Sequence, residues 1–166
     1  MTARVAWLAA VFVACSSVTG CTAPTNVQAQ KIAGTMSSLP VPRGWTEPAP
    51  MQTVCMEPNL DCQDPNARRV FTTTAVRQQV CVEFVGWVQN NAVFEIPSAI
   101  VGVSEKPVDA ADCLAEIAHY TRYLVTARAP HDGAGDAHWR MALTQAASGY
   151  ALSVVVGSPP REPWRS

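Results

Sequence analysis

His131, Asp132, Asp136 and His138 set two imidazoles and two carboxylates within eight residues. Such a donor set can wrap a divalent cation while Gly133 and Gly135 let the backbone turn. The same residue types also make up ordinary exposed loops, and their spacing follows no helical or strand period that would hold ligands on a rigid element. These four are therefore the metal candidates of the chain, and a small metal-dependent hydrolase using the 131–138 loop is its enzymatic alternative. No GxSxG, HExxH, SxxK or glycine-rich phosphate loop occurs, so no nucleophile or phosphate cradle is indicated. His119 falls on the flank of a predicted helix, where a structural role is the ordinary outcome. Glu83 and Glu95 alternate with apolar neighbours and read as outward or sheet-edge charges, because an acid–base pair must share one cleft. No catalytic residue and no cofactor is assigned.

The chemistry with a definite pattern lies at the start. Met1 to Arg4 carries one positive charge and Val5 to Ala14 is a ten-residue apolar run, half of the roughly 20 residues a membrane-crossing helix needs and the right length for a secretory signal. It closes with Val18-Thr19-Gly20-Cys21. This tetrad resembles the lipobox of bacterial lipoproteins: a branched aliphatic, a small residue, Gly or Ala, then Cys. The resemblance implies that the Cys21 thiol takes a diacylglycerol in thioether linkage and that cleavage follows Gly20. Two acyl chains, at about 0.8 kcal/mol per buried methylene, would hold the protein to the membrane where one chain is marginal. The expected location is the extracytoplasmic face of the cell membrane. Only Lys31 and Lys106 are lysines against ten arginines, which is similar to the coding bias of high-GC, actinobacterial genomes.

With Cys15 in the signal and Cys21 acylated, Cys55, Cys62, Cys81 and Cys113 remain. An even number on an exported chain points to two disulfides, and four cysteines allow three pairings. Cys55–Cys62 with Cys81–Cys113 is favoured: the first closes a short loop containing Pro58 and Asn59, the second a long one that restricts the unfolded chain more. A zinc site would need CxxC-like pairs, which are absent.

These residues need elements to carry them. Residues 1–20 read as the signal peptide, 21–42 as a flexible tether without apolar period, 43–158 as one domain and 159–166 as a Pro-rich tail. Val70 to Thr74 is β-prone. Val80 to Val88, apolar on both alternating faces, predicts a central strand paired as a hairpin with Ala92 to Ile96 across Gln89-Asn90-Asn91. Pro97 predicts a bulge or crossing before the β-prone Ala99 to Val103. Asp109 is a helix cap, and Leu114, Ile117, Ala118, Thr121, Leu124 and Val125 suggest one helix continuing to about Arg128. Trp139 to Gln145 and Tyr150 to Gly157 predict two further strands.

The predicted class is α+β: an antiparallel sheet with one dominant helix packed on it and two disulfides. The element order, with Pro42-Arg43-Gly44-Trp45 ahead of it, is similar to PsbP/Mog1-like folds, a likeness of architecture that carries no function. Trp87 and Trp139 lie in strand patterns and read as core. Trp45 and Trp164, among prolines at the two ends of the domain, are the candidate binding aromatics.

A balance of 12 Lys+Arg against 13 Asp+Glu lacks the basic surplus that phosphate backbones require, which argues against nucleic acid as a partner. The hydrophobic share of 48% with 15% charged residues is that of a folded domain. The expectation is a lipid-anchored accessory or binding module without catalysis, its partners the membrane through its diacylglycerol and an envelope protein or small ligand. A structural partner of a membrane complex is a further alternative.

Overall fold

The computed structural model describes residues 27–54, 65–130 and 137–157. Cys21, Cys55, Cys62, His131, Asp132, Asp136 and Trp164 lie outside the described residues. The elements run α1 (Val27–Ser37), β1 (Gln52–Val54), β2 (Asn66–Thr73), α2 (Arg77–Gln89), β3 (Glu95–Val101), β4 (Ser104–Pro107), α3 (Ala110–Tyr120), β5 (Arg122–Arg128), β6 (His138–Ala146) and β7 (Gly149–Gly157). The strands form one antiparallel sheet in the order β1-β2-β7-β6-β5-β3-β4. The class is α+β as expected, but among the described residues three helices of similar length replace the one dominant helix.

Strand alternation decides which face is covered. Tyr123, Val125 and Ala127 on β5, Trp139, Met141 and Leu143 on β6, and Leu152, Val154 and Val156 on β7 are all buried, the period-2 signature of one face against a core. All three helices meet that face. Phe84 of α2 sits edge-on to Tyr123 with ring centroids 6.2 Å apart, and Trp87 of α2 bridges Phe71 and Phe94. The Tyr123 hydroxyl bonds the Asp109 backbone at the cap of α3, and Arg69 of β2 donates to the carbonyls of Met36 and Leu39 at the end of α1.

Residues 77–89, read as a strand, form a helix. Its buried positions are Val80, Cys81, Phe84, Val85 and Val88, spaced 1, 4, 5 and 8 from the first as one helical face requires. A strand would have buried Val82 with Val80 and Phe84, yet Val82 is 58% exposed. The expected hairpin with 92–96 is therefore absent, and β3 pairs β4 and β5 instead. The Pro97 bulge is present as a register shift between Glu95 and Ser98, with Ile96 at φ 48°.

The long helix expected to reach Arg128 stops at Tyr120. Asp109 caps its start by accepting from the amides of Ala111 and Asp112, and Thr121 ends it in the left-handed region, φ 59°, its N–H bonding Ile117 O. Beyond it Tyr123, Val125 and Ala127 alternate as a strand, so Leu124 and Val125 belong to the sheet and not to the helical stripe.

Within the segment 21–42 read as a tether, residues 27–37 form α1. Ala29, Ile32, Ala33 and Met36 are buried at i, i+3, i+4 and i+7, and α1 packs on β1, β2 and β7. Small alanines make this stripe faint in sequence, and burial against the sheet supplies the stability that propensity alone does not.

One disulfide occurs among the described residues, Cys81–Cys113, with Cα atoms 5.8 Å apart. The pairing is the expected one, but it joins helix to helix, α2 to α3, where a strand-to-helix bond was expected.

Candidate functional site

The alternate residues of the same strands build the opposite face of the sheet, against which none of the helix contacts just described is made. Register orders it in rows across the strands. Arg68, Val155, Arg140, Thr126 and Ser98 lie side by side from β2 to β3. The next row is Val70, Ser153, Ala142, Leu124 and Ile100, ending at Glu105 of β4.

The centre of this face is apolar and only half-buried: Ile100, Leu124, Ala142 and Val155 are all of intermediate exposure. They line a cavity of about 410 Å³ together with Thr126 and Arg140, within the size range of small-molecule sites. An adjoining cavity of about 290 Å³ shares Ile100 and Leu124 and continues past Val103 and Tyr120 to Glu116 and Arg122. Val103 and Tyr120 are exposed hydrophobics, so apolar surface reaches this end of the face beside the Glu116 and Arg122 charges.

Charge is distributed unevenly. Arg68, Arg122, Arg128 and Arg140 stand on the open face by register, against Glu95 and Glu105. Asp109 and Asp112 stand at the start of the third helix, while Glu116 of the same helix lines the cavity that holds Arg122. Arg68 and Arg140 flank Val155 from its two neighbouring strands. The Arg68 Nε donates to Ser153 Oγ at 3.1 Å. Arg140 is exposed and no described side chain pairs with its guanidinium.

A third cavity, about 340 Å³, lies near the β6–β7 turn and is lined by Thr46, Thr72, Thr73, Thr74, Ser148 and Tyr150 among others. Its hydroxyls are partly committed within the protein: Thr46 Oγ1 and Thr72 Oγ1 are 3.1 Å apart and Thr73 Oγ1 donates to Gly44 O. With no charged group in its wall, it defines a ligand less sharply than the open face.

Of the residues singled out from sequence, His138 is half-buried on β6, opposite Gly157 and Arg128 in register. Its three companions in the proposed metal set lie outside the described residues, and among the described residues no three of His, Cys, Asp and Glu gather as a metal group. His119 is exposed beside the Tyr120 ring. Glu83 accepts from Gln79 within α2, a helical i, i+4 contact and not a strand position. Trp45, a candidate surface aromatic, is 6% exposed within the core cluster and so packs in the interior; its Nε1 has no acceptor among the described residues. Trp139 is fully buried as expected, and Trp87 is half-buried with Nε1 donating to Pro40 O at 3.2 Å.

The open face was missed from sequence. Its signal was the alternation Arg140, Ala142, Thr144 between buried Trp139, Met141 and Leu143, readable as an outward face but not as a cavity. Leu124 was hidden by its assignment to a helix.

Comparison with protein-family models, curated proteins and solved structures finds no match to this chain. No described helix is long and apolar enough to cross a membrane.

Proposed function

We propose that this protein is a lipid-anchored lipoprotein of the cell envelope, held on the extracytoplasmic face of the membrane, and that it binds a partner or ligand without transforming it. The observation that carries this reading is Val18-Thr19-Gly20-Cys21 directly after a ten-residue apolar run. The binding role is supported by the open face of the sheet, whose aliphatic, hydroxyl and guanidinium side chains can hold a molecule by contact and charge.

The short distance from anchor to domain adds to the picture. Five residues, 22–26, separate Cys21 from the start of α1 at Val27. At 3.3–3.6 Å per residue they span at most roughly 20 Å. Such a domain would work beside the bilayer, at high local concentration toward other envelope components.

The test is metabolic labelling with radioactive palmitate and detergent phase partition of the wild-type and Cys21→Ser chains. The wild type takes label and enters the detergent phase; Cys21→Ser does neither as a processed protein and accumulates as precursor. Label or detergent partition retained by a processed Cys21→Ser chain overturns the anchor.

A further inference from the structure

The open face has the two parts of an amphiphile site in the right relation. Its apolar strip crosses from Val155 and Ala142 through Leu124 to Ile100 and out past Val103. Adjacent strands lie about 4.8 Å apart, so Ala142 to Ile100, two strand steps, already spans about 10 Å, and the β3–β4 turn extends it. Net positive charge stands at the other end of the strip, where Arg140 and Arg68 lie on either side of Val155; at the Val103 end Arg122 shares its cavity with Glu116. Arg68 is oriented by Ser153, while the Arg140 donors are uncommitted among the described residues.

A guanidinium matches a carboxylate at two points, and a low-dielectric apolar neighbour strengthens that contact. An apolar ligand lacking an anionic end would leave the arginines unused. A small inorganic anion would leave the aliphatic strip exposed. We infer that this groove binds a single free long-chain fatty acid, its carboxylate between Arg140 and Arg68 and its alkyl chain lying over Leu124 and Ile100 toward Val103. The inference rests on reading the protein as a binding module, and it names the ligand class of that module.

The probe is hexadecanoic acid carrying a diazirine in its chain, added to the full protein in nanodiscs of phosphatidylcholine and photolysed, with crosslinked residues mapped by mass spectrometry. Crosslinks concentrate on β3 and β5 around Ile100 and Leu124. The matching diazirine hexadecanol gives at least tenfold less, and Arg140→Gln, at an exposed sheet position, lowers the acid's yield about tenfold. Leu124→Glu, with its fold checked by circular dichroism, removes the crosslinks. Equal labelling by acid and alcohol, labelling unaffected by Arg140→Gln, or crosslinks on α2 and α3 overturn the proposal. So does labelling of the groove by a diazirine phosphatidylglycerol in the bilayer at the expense of the free acid, which would make the membrane surface the occupant. Mass spectrometry of Cys21 in the same wild-type protein separates the two readings. Groove crosslinks without acylation at Cys21 leave the site standing and remove the anchor; acylated Cys21 without groove crosslinks does the reverse.

Discussion

Arg69 and Glu47 form a two-point ion pair, Nε to Oε1 at 2.8 Å and Nη2 to Oε2 at 2.7 Å, while Nη1 of the same guanidinium donates to the carbonyls of Met36 and Leu39 where α1 ends. One side chain on β2 thus satisfies free carbonyls of a helix terminus and fixes the chain that follows it. Its guanidinium also lies 4.9 Å from the centroid of the Phe71 ring. The pair is largely shielded, with side chains 10% and 24% exposed.

Arg69→Ala should lower the unfolding free energy by about 1.5–3 kcal/mol, the range for hydrogen bonds to charged groups, as measured by urea titration. Glu47→Gln should cost less, because Arg69 keeps its carbonyl partners. An Arg69→Ala protein as stable as the wild type would mean that α1 is not held by this contact.

The same pair predicts an acid limb. The hydrogen bond from Arg69 holds the Glu47 carboxyl below its ordinary value of 4.5; slight burial opposes the shift and the arginine's charge adds to it. A carboxyl depressed in the folded state stabilises above its unfolded value, and that contribution is lost as pH falls through the folded one. The stability difference between wild type and Glu47→Gln should be full at pH 6 and close below the depressed value. A difference that persists unchanged at low pH would assign it to something other than ionisation.

Reducing Cys81–Cys113 should cost about 3–4 kcal/mol, the loop-entropy value for a sequence separation of 32. Denaturation of the Cys81→Ala/Cys113→Ala double variant measures it without reductant acting on other cysteines. Both sulfur positions are fully buried, so lost packing is part of the change. A shift under 1 kcal/mol would show that the α2–α3 contact is held by packing alone.

Gly149→Ala should destabilise by more than about 1 kcal/mol. Gly149 sits at φ +138°, and an added Cβ would collide with the Thr73 carbonyl oxygen, in the strand β7 pairs with. Gly86→Ala, inside α2 with open space around the added methyl, should instead stabilise by about 0.5–1 kcal/mol. Equal thermal shifts for the two variants would contradict this geometry.

Tyr123 should titrate above the ordinary tyrosine value of 10. Burial raises it, the Asp109 backbone contact lowers it, and the charges of Asp112, Asp109 and Glu116 raise it further. Since the folded value lies above the unfolded one, its contribution to stability is complete below pH 10 and fades as pH rises through the folded value. Ultraviolet titration should show one tyrosine ionising late, absent in Tyr123→Phe.

The amino-acid order alone determined what local chemistry can encode. The Asp109 cap, the Pro97 irregularity and strands β2, β6 and β7 were legible because each rests on neighbours within a few residues. The lipobox likeness is a local pattern of the same kind. Tertiary structure decided the rest. Val80–Val88 carries apolar residues compatible with either a period of 2 or a helical face, and only the core selects Val80, Cys81, Phe84, Val85 and Val88 while leaving Val82 in water. Leu124 fits a helical stripe from Leu114 until Thr121 turns the chain into β5. The open face, finally, is assembled from β2, β7, β6, β5 and β3, whose order in space is not their order in the chain. Arg68 and Arg140 stand 72 positions apart by number, and antiparallel register through Val155 is what makes them neighbours.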